Sequence, residues 1–282
     1  LNGDEVVAQS LGDQLAFIIP GVIEAGEESR GELYVDADPA TYEPLADAGG
    51  NDIIVDVGPY AARLGSEGAH IYEWKVAALG GQDITLPGDT SYFGFFDEMR
   101  LRGEPFELTF VADGPVVAIV KAVSALGDER TYYFWRGLPY VECVLDEGAA
   151  YLWAFDATGN FASDAPMPGT AYLSNGFTAP VPETGAHEQV PMRGQKAWWC
   201  CKTREDGLTL GLITPNEQTN MKVGPGGGFG GVGIEGSNPS QYVVVYADVD
   251  KRGPKVVEEI HHTLARDEPV TVTYGKLEVR GE

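Results

Sequence analysis

Basic side chains are scarce in this chain: 19 Lys and Arg stand against 43 Asp and Glu in 282 residues, a formal net charge of −24. So few cations exclude bare nucleic acid as a partner, because binding a phosphate backbone needs a basic surface. An anionic membrane surface is excluded for the same reason. Long apolar runs are missing too. The longest near the start, residues 15–23, is interrupted by Pro20 and Gly21 and is too short to span a bilayer. No secretory signal is legible, and the first residue is Leu1 rather than Met, which fits a processed leader or a trimmed chain. Cysteine is limited to Cys143, Cys200 and Cys201. One disulfide from Cys143 to either of the adjacent pair would leave an odd thiol; as free thiols all three serve as small buried hydrophobes. No Cys or His pair stands at zinc-ligand spacing.

Apolar and turn-forming residues, by contrast, are plentiful. Hydrophobic residues make up 43% and aromatics 10%, enough for a core and too much for a disordered chain. With 37 Gly and 18 Pro, short β-branched and aromatic runs lie between turns. Strands are expected over residues 69–79, 91–102, 106–111, 116–123, 131–135, 140–145, 151–156, 197–203, 208–213, 242–248 and 270–279. Residues 131–135 and 140–145 read as a hairpin. One helix is expected from Pro254, with Val257, Ile260, His261 and Leu264 on one face and Pro269 ending it. Residues 158–194 are polar, Pro-rich and without periodicity, as in a functional loop. The expected fold is all-β: a large antiparallel two-sheet sandwich with one C-terminal helix, as a single domain over residues 1–282.

The acidity is uneven. Residues 1–60 hold thirteen acidic side chains and only Arg30 as a base, half of the net charge. This reads as a solvated, self-repelling face. The functional alternative is Ca²⁺ held by Asp36 and Asp38, or by Asp248 and Asp250, at i, i+2 spacing. The Gly-rich run from Gly224 to Gly233 lacks the Lys-Ser or Lys-Thr and the helix start of a phosphate loop. It reads as a mobile loop, or as a place where another part of the chain approaches closely.

Several residues can carry chemistry. His70 lies on a strand with Tyr72 and Trp74 expected to point the same way, an aromatic-flanked imidazole able to move a proton or to sit half-buried and hydrogen-bonded. His187 lies in the long loop beside Glu188. His261 and His262 fall on the helix and read as structural. In the dense cluster from Glu129 to Arg136, the residues Arg130, Tyr132, Phe134 and Arg136 share one strand face. Thr131, Tyr133 and Trp135 share the other. One face meets the core, and the other offers polar groups to a ligand: Arg pairs with carboxylates, and a Tyr beside it can donate or accept a proton. Of the adjacent Trp198 and Trp199, one should face outward as a sugar-stacking platform.

Three stretches carry a family likeness: Asp113-Gly114-Pro115-Val116-Val117-Ala118-Ile119-Val120, then Tyr132-Tyr133-Phe134-Trp135-Arg136-Gly137-Leu138-Pro139-Tyr140-Val141-Glu142, then Asp206-Gly207-Leu208-Thr209-Leu210-Gly211-Leu212-Ile213-Thr214-Pro215. Over roughly residues 92–215 the chain resembles galactose-mutarotase-like β-supersandwich proteins. The resemblance implies two stacked antiparallel sheets with a concave sugar-binding face, and His, Tyr, Arg or Glu as proton-transfer groups. The paired His and Glu of a true mutarotase are not identifiable.

The first functional expectation is a polysaccharide lyase acting on a uronate-containing glycan, with Tyr133 or His70 as base and acid, Arg130 or Arg136 neutralising the substrate carboxylate, and His187 as a loop-borne alternative. Tyr72, Trp74, Tyr132, Trp135 and Trp198 would bind the substrate. The second is a non-catalytic extracellular sandwich that binds glycan or builds an assembly, and the third is a sugar epimerase or isomerase. A carbohydrate ligand, no membrane partner, a homo-oligomer and an extracellular or periplasmic location complete the expectation.

Overall fold

The computed structural model describes residues 8–11, 14–17, 44–85, 94–156, 169–181, 196–224 and 230–264. Its first strands are β1 (Ala8–Leu11), β2 (Gln14–Phe17), β3 (Ala46–Gly49), β4 (Asp52–Asp56), β5 (Tyr60–Leu64), β6 (Ile71–Val76), β7 (Gln82–Asp83) and β8 (Phe95–Asp97). Then come β9 (Phe106–Asp113), β10 (Val117–Ser124), β11 (Glu129–Trp135), β12 (Tyr140–Asp156), β13 (Gly169–Leu173) and β14 (Thr178–Val181). The last are β15 (Ala197–Arg204), β16 (Leu208–Gln218), β17 (Met221–Val223) and β18 (Gly230–Val249), followed by helix α1 (Pro254–Leu264). Strands β1 and β2 form their own antiparallel ribbon, and the other sixteen join one hydrogen-bonded network.

That network is two layers because two strands are long enough to serve both. The first part of β12 pairs with β11 and with the last part of β18. The end of β12 pairs with β8 and with the beginning of β18. One layer runs β9-β10-β11-β12-β18-β16-β15-β13-β14, and the other runs β3-β4-β5-β6-β8-β12-β18-β17, all antiparallel. Between Val144 and Ala149 the β12–β18 register breaks. Gly148 sits on the break at φ +70°, where a side chain would be strained and would crowd Pro239, Gln241 and Ser240 at 3.2 Å.

The layers stack face to face. Alternation places Tyr60, Ala62 and Leu64 of β5 inward, with Tyr132 and Phe134 of β11 and Val243, Val245 and Ala247 of β18 opposite them in one core. Trp74 stacks on Tyr60 with ring centres 3.7 Å apart. Its indole N–H donates to the Ala247 carbonyl across the layers at 3.3 Å. Helix α1 covers the outer side of β15 and β16, burying Val256 and Val257 and packing Ile260 and Leu264 against Trp199, Cys201 and Ile213. Gly211 makes room for it: a Cβ there would meet Val257 at 2.8 Å.

The all-β sandwich with a C-terminal helix is as the sequence predicts, while individual elements shift. Residues 91–102 do not form one strand: β8 is short, and a single 3₁₀ turn occupies Met99–Leu101. Phe96 sits at φ +63°, which breaks the extended alternation. Residues 140–145 and 151–156 belong to one strand, β12. Part of the expected loop, 169–181, is the hairpin of β13 and β14. The start of β18 absorbs the end of the Gly-rich run, where Gly233 lies under the Trp153 ring and a Cβ would meet it at 2.5 Å. The expected strand at 270–279 lies outside the described residues. All three cysteines are free and buried.

Arg130 joins the layers through a 1% exposed guanidinium. It donates to the Phe96 carbonyl at 2.8 Å and to the Ala69 carbonyl at 3.3 Å, and pairs with Glu98 at 2.8 Å. Arg130→Ala leaves those buried carbonyls without their donor and Glu98 with only the more exposed Arg100. It should cost about 3–5 kcal/mol, read as a loss in the urea midpoint; a loss under about 1 kcal/mol, as at an exposed pair, would contradict this role.

Candidate functional site

The two faces of β11 have different fates. Burial alternates along the strand: Arg130, Tyr132 and Phe134 point into the core, while Thr131, Tyr133 and Trp135 are half-buried on the outer face. Tyr132 donates its hydroxyl to the Ala69 carbonyl, so Arg130 and Tyr132 both bind the backbone beside His70. Ala69 is held at φ +45° and Phe96 at φ +63°, the two non-glycine residues in the left-handed region among those described. His70, Arg130 and Tyr132 are thus brought together but sealed, at 1%, 1% and 0% exposure. Salt bridges from Arg100 to Glu98 and Asp128, and from Arg102 to Asp97, close the cluster. Burial raises the Asp97 carboxyl above its ordinary value, and Arg102 opposes that rise.

This corrects the expected pairing of Tyr133 with Arg130. The two project from opposite faces of one strand, and the Arg130 guanidinium is taken up by Glu98 and backbone carbonyls. Trp74 is likewise core, not a ligand platform. It does not share a face with Tyr72, because a bulge intervenes: Leu64 pairs with Ile71 and Arg63 with Glu73, leaving Tyr72 as the extra residue. Tyr72 turns outward, donates to Asp52 at 2.5 Å and packs its ring under Arg63. Burial first, then the bond to Asp52, raises its phenol to about 12.

The remaining expected residues are scattered. Arg136 is exposed in the turn after β11 and donates to the Pro115 carbonyl at 2.6 Å. Trp198 is 38% exposed and lies 5.5 Å from the His261 ring, while Trp199 is buried beneath α1. His187, Asp36 and Asp38 lie outside the described residues. The Asp250 carboxylate is held by Arg252. Among the described residues no group of three or more His, Cys, Asp or Glu is placed to hold a metal ion.

A different group assembles on the outer face. Tyr133 pairs in register with Glu142 of β12, and Val144 pairs with Tyr242 of β18. Tyr133 and Trp135 stack with ring centres 6.5 Å apart. Tyr140, two residues before Glu142, shares its face. Burial raises the Glu142 carboxyl above its ordinary value; the Tyr242 hydroxyl and Trp135 indole oppose the rise, and no ionised partner contributes. The Trp135 Nε1–H is near enough to favour the carboxylate, yet it is buried without a hydrogen bond of full geometry. Burial and then Glu142 raise the Tyr140 and Tyr242 phenols. Beside Tyr242, the register break opens a groove of about 460 Å³ lined by Glu147, Pro215, Asn216, Pro239 and Gln241. Such a carboxyl can hold and release a proton, and the aromatic rings offer stacking surfaces with polar edges.

Of the residues singled out in the sequence, Tyr133 and Trp135 lie on this outer face; Glu142, Tyr140 and Tyr242 are not among them. The signal for Glu142 was present, since closing the hairpin around residues 136–139 sets it opposite Tyr133. Tyr242 arrives from a strand about a hundred residues away, a pairing that local pattern does not encode.

No protein-family model matches the chain, and no curated protein matches it. Among solved structures, it is similar to a galactose mutarotase-like protein from Lactobacillus casei, at 10% identity and a TM-score of 0.42 over 71% of this chain and 100% of that one. It is also similar to a quadruple mutant of the α-N-acetylgalactosaminidase NagBb from Bifidobacterium bifidum, at 12% identity and a TM-score of 0.47 over 76% of this chain and 39% of that one. A third is YidC from Thermotoga maritima, at 11% identity and a TM-score of 0.38 over 79% of this chain and 56% of that one.

Since the fold favours the protonated Glu142, its contribution to stability is complete below the unfolded carboxyl's pKa of about 4.3 and is lost as pH rises through the raised folded value. Glu142→Gln removes that loss. The variant should therefore gain stability over the parent at pH 8 and lose the gain by pH 4 in paired urea titrations. A variant less stable than the parent at pH 8 would reverse the assigned direction.

Proposed function

We propose that the protein binds carbohydrate on the outer face of the nine-strand layer, at Tyr133, Trp135, Tyr140, Glu142 and Tyr242. One observation carries the reading: a half-buried carboxyl with raised proton affinity and no ionised partner, set among four aromatic side chains and next to a groove. Sugar rings present C–H faces to aromatic rings and hydroxyls to carboxyl and phenol groups, so this mixture suits them. Glu142 is the group best placed to move a proton to or from a bound sugar, which supports an isomerising or hydrolytic reaction over simple adhesion.

A second reading, uronate elimination, is favoured by one observation. Arg136 is exposed directly after Trp135, in the turn that follows β11. Here the Tyr133 phenolate takes the proton α to the substrate carboxylate while Arg136 neutralises that carboxylate; the double bond forms as the C–O bond at the β carbon breaks, and the Tyr133 phenol returns the proton to the leaving oxygen.

The test is calorimetry against a panel of neutral and uronate-containing oligosaccharides, with product absorbance for the unsaturated sugar. At least one glycan should bind. Trp135→Ala and Tyr242→Ala should each weaken that binding about tenfold, equivalent to about 1.4 kcal/mol. Glu142→Gln should abolish any turnover while leaving the fold intact. Absence of binding across the panel, or unchanged binding in both aromatic variants, would refute the site.

A further inference from the structure

The groove beside Tyr242 has a far wall, and strand β16 supplies it. Trp199 pairs with Ile213 and Ala197 with Gln218, so four residues of β16, Thr214 to Glu217, bulge opposite Trp198 alone. Two of them, Pro215 and Asn216, line the groove. The bulge is pinned from both sides. The Thr214 hydroxyl is shared between the Trp198 carbonyl at 3.0 Å and the Asn216 carbonyl at 2.9 Å, and the Ser240 hydroxyl donates to the Asn216 side-chain oxygen at 2.9 Å. The Trp198 amide donates to the Ser174 hydroxyl at 2.8 Å. Trp198 is thus fixed across the bulge from the groove. Its ring meets His261 of α1, which covers the outer side of β15 and β16, so the indole lies on the same side of the layer as Tyr242. On the near side of the groove Val144, the partner of Tyr242, is exposed to the same 38% as Trp198.

We infer, resting on the carbohydrate reading above, that the ligand of this face is a neutral oligosaccharide, with one sugar beside Glu142, the next in the groove and a further ring stacked on Trp198. The topology sets the length. Glu142, Tyr242, the bulge and Trp198 lie on the successive strands β12, β18, β16 and β15. Three strand spacings separate the first from the last, about 14 Å, more than one sugar ring can cover. The chemistry along this line repeats, as it does along a glycan. Val144, Pro215 and Trp198 offer apolar surface to C–H faces, and polar groups stand between them. The Asn216 oxygen and the Gln241 nitrogen are bonded within the fold, which leaves an amide donor and an amide acceptor for sugar hydroxyls. The charge selects a neutral chain: Glu147 lines the groove and no basic residue does. Burial, then His262, lowers the His261 imidazole from its ordinary value against the pull of Glu258, so no cation at the Trp198 end favours an anionic chain either. A proline-rich peptide fits less well, since it docks between aromatic ridges and the middle of this groove is proline and amide.

The experiment is calorimetry on the full chain with glucose, mannose, galactose and xylose, and with the β-linked tetrasaccharide of each. At least one tetrasaccharide should bind about tenfold or more tightly than its monosaccharide. Trp198→Ala should remove that gain and leave monosaccharide binding unchanged, whereas Trp135→Ala should weaken both. Trp198→Phe keeps a ring and should restore most of the gain, which a general disturbance of the fold would not allow. Equal binding of a monosaccharide and its tetrasaccharide would overturn the chain-length inference and leave the carbohydrate site standing. So would loss of monosaccharide binding in Trp198→Ala, or binding of a proline-rich decapeptide that the same variant abolishes. Absence of binding by every sugar tested would remove the carbohydrate reading and this inference together.

Discussion

The fold depends on the pairing of β12 with β18. Each runs through both layers, so the ladder between them is at once the middle of the nine-strand layer and part of the second. Two stacked layers of different width cannot share a straight pair of strands without a bend, and the register break between Val144 and Ala149 provides it. The bend does more than redirect the chain. It leaves Pro239, Gln241 and Glu147 standing clear of regular pairing, and the groove they line opens beside Tyr242. The same discontinuity that closes the sandwich therefore creates a concavity next to the Glu142 cluster, and no separate loop is required to make one.

A second constraint holds the layers in register, and it is polar. Burying an arginine is costly unless nearly every donor finds an acceptor. Arg130 satisfies its two terminal nitrogens, though not its Nε–H, because Glu98 accepts from one and Ala69 and Phe96 adopt left-handed backbone conformations that turn carbonyls towards the other. Left-handed backbone is unfavourable for residues with a Cβ, on the order of 1–2 kcal/mol each. Each feature thus stabilises the other: the guanidinium makes the strained carbonyls useful, and the carbonyls make a buried guanidinium tolerable. Neighbouring Gly68 and Gly94 leave space for the His70 ring, since a Cβ at either would crowd it. The result is a rigid polar joint deep between the layers, with its donors directed at backbone and away from solvent.

That joint explains where sequence reasoning succeeded and where it failed. The alternation in β11 was legible, and so were the helix face around Val257 and the class of the fold, because each rests on a period of two or 3.6 residues. Which face of β11 points inward was not legible. One face offered Arg130, Tyr132 and Phe134, the other Tyr133 and Trp135, and hydropathy favours burying the second. The structure buries the arginine because its acceptors come from residues 69, 96 and 98, and those are tertiary contacts. Tyr72 failed for a related reason. One bulge shifts the phase of β6, so a residue expected beside Trp74 ends on the opposite side. Strands β3, β4 and β5 were overlooked because charged residues interrupt them and because their burial depends on the partner layer.

The chain's acidity bears on the site in a way that net charge alone conceals. The Glu142 cluster lies on a face where no cation contributes to the carboxyl's proton affinity, so an anionic ligand placed over Glu142 would set one carboxylate against another. A neutral sugar meets no such opposition: its hydroxyls donate to the carboxyl in either protonation state and accept from it when it is protonated. Along β12, Tyr140 lies towards the Arg136 turn, Glu142 lies in the middle, and Val144 lies towards the Tyr242 groove. Tyr140 and Val144 are four residues apart, about 13 Å along a strand. A uronate held by Arg136 would therefore place its ring over Trp135 and Tyr140, whereas a sugar seated in the groove would lie over Tyr242. Both poses pass beside the cross-strand pair of Tyr133 and Glu142. On the proposed reading that pair, and not the buried arginine, is the chemical centre of the face, and the charge of the ligand selects the end of the face that it occupies.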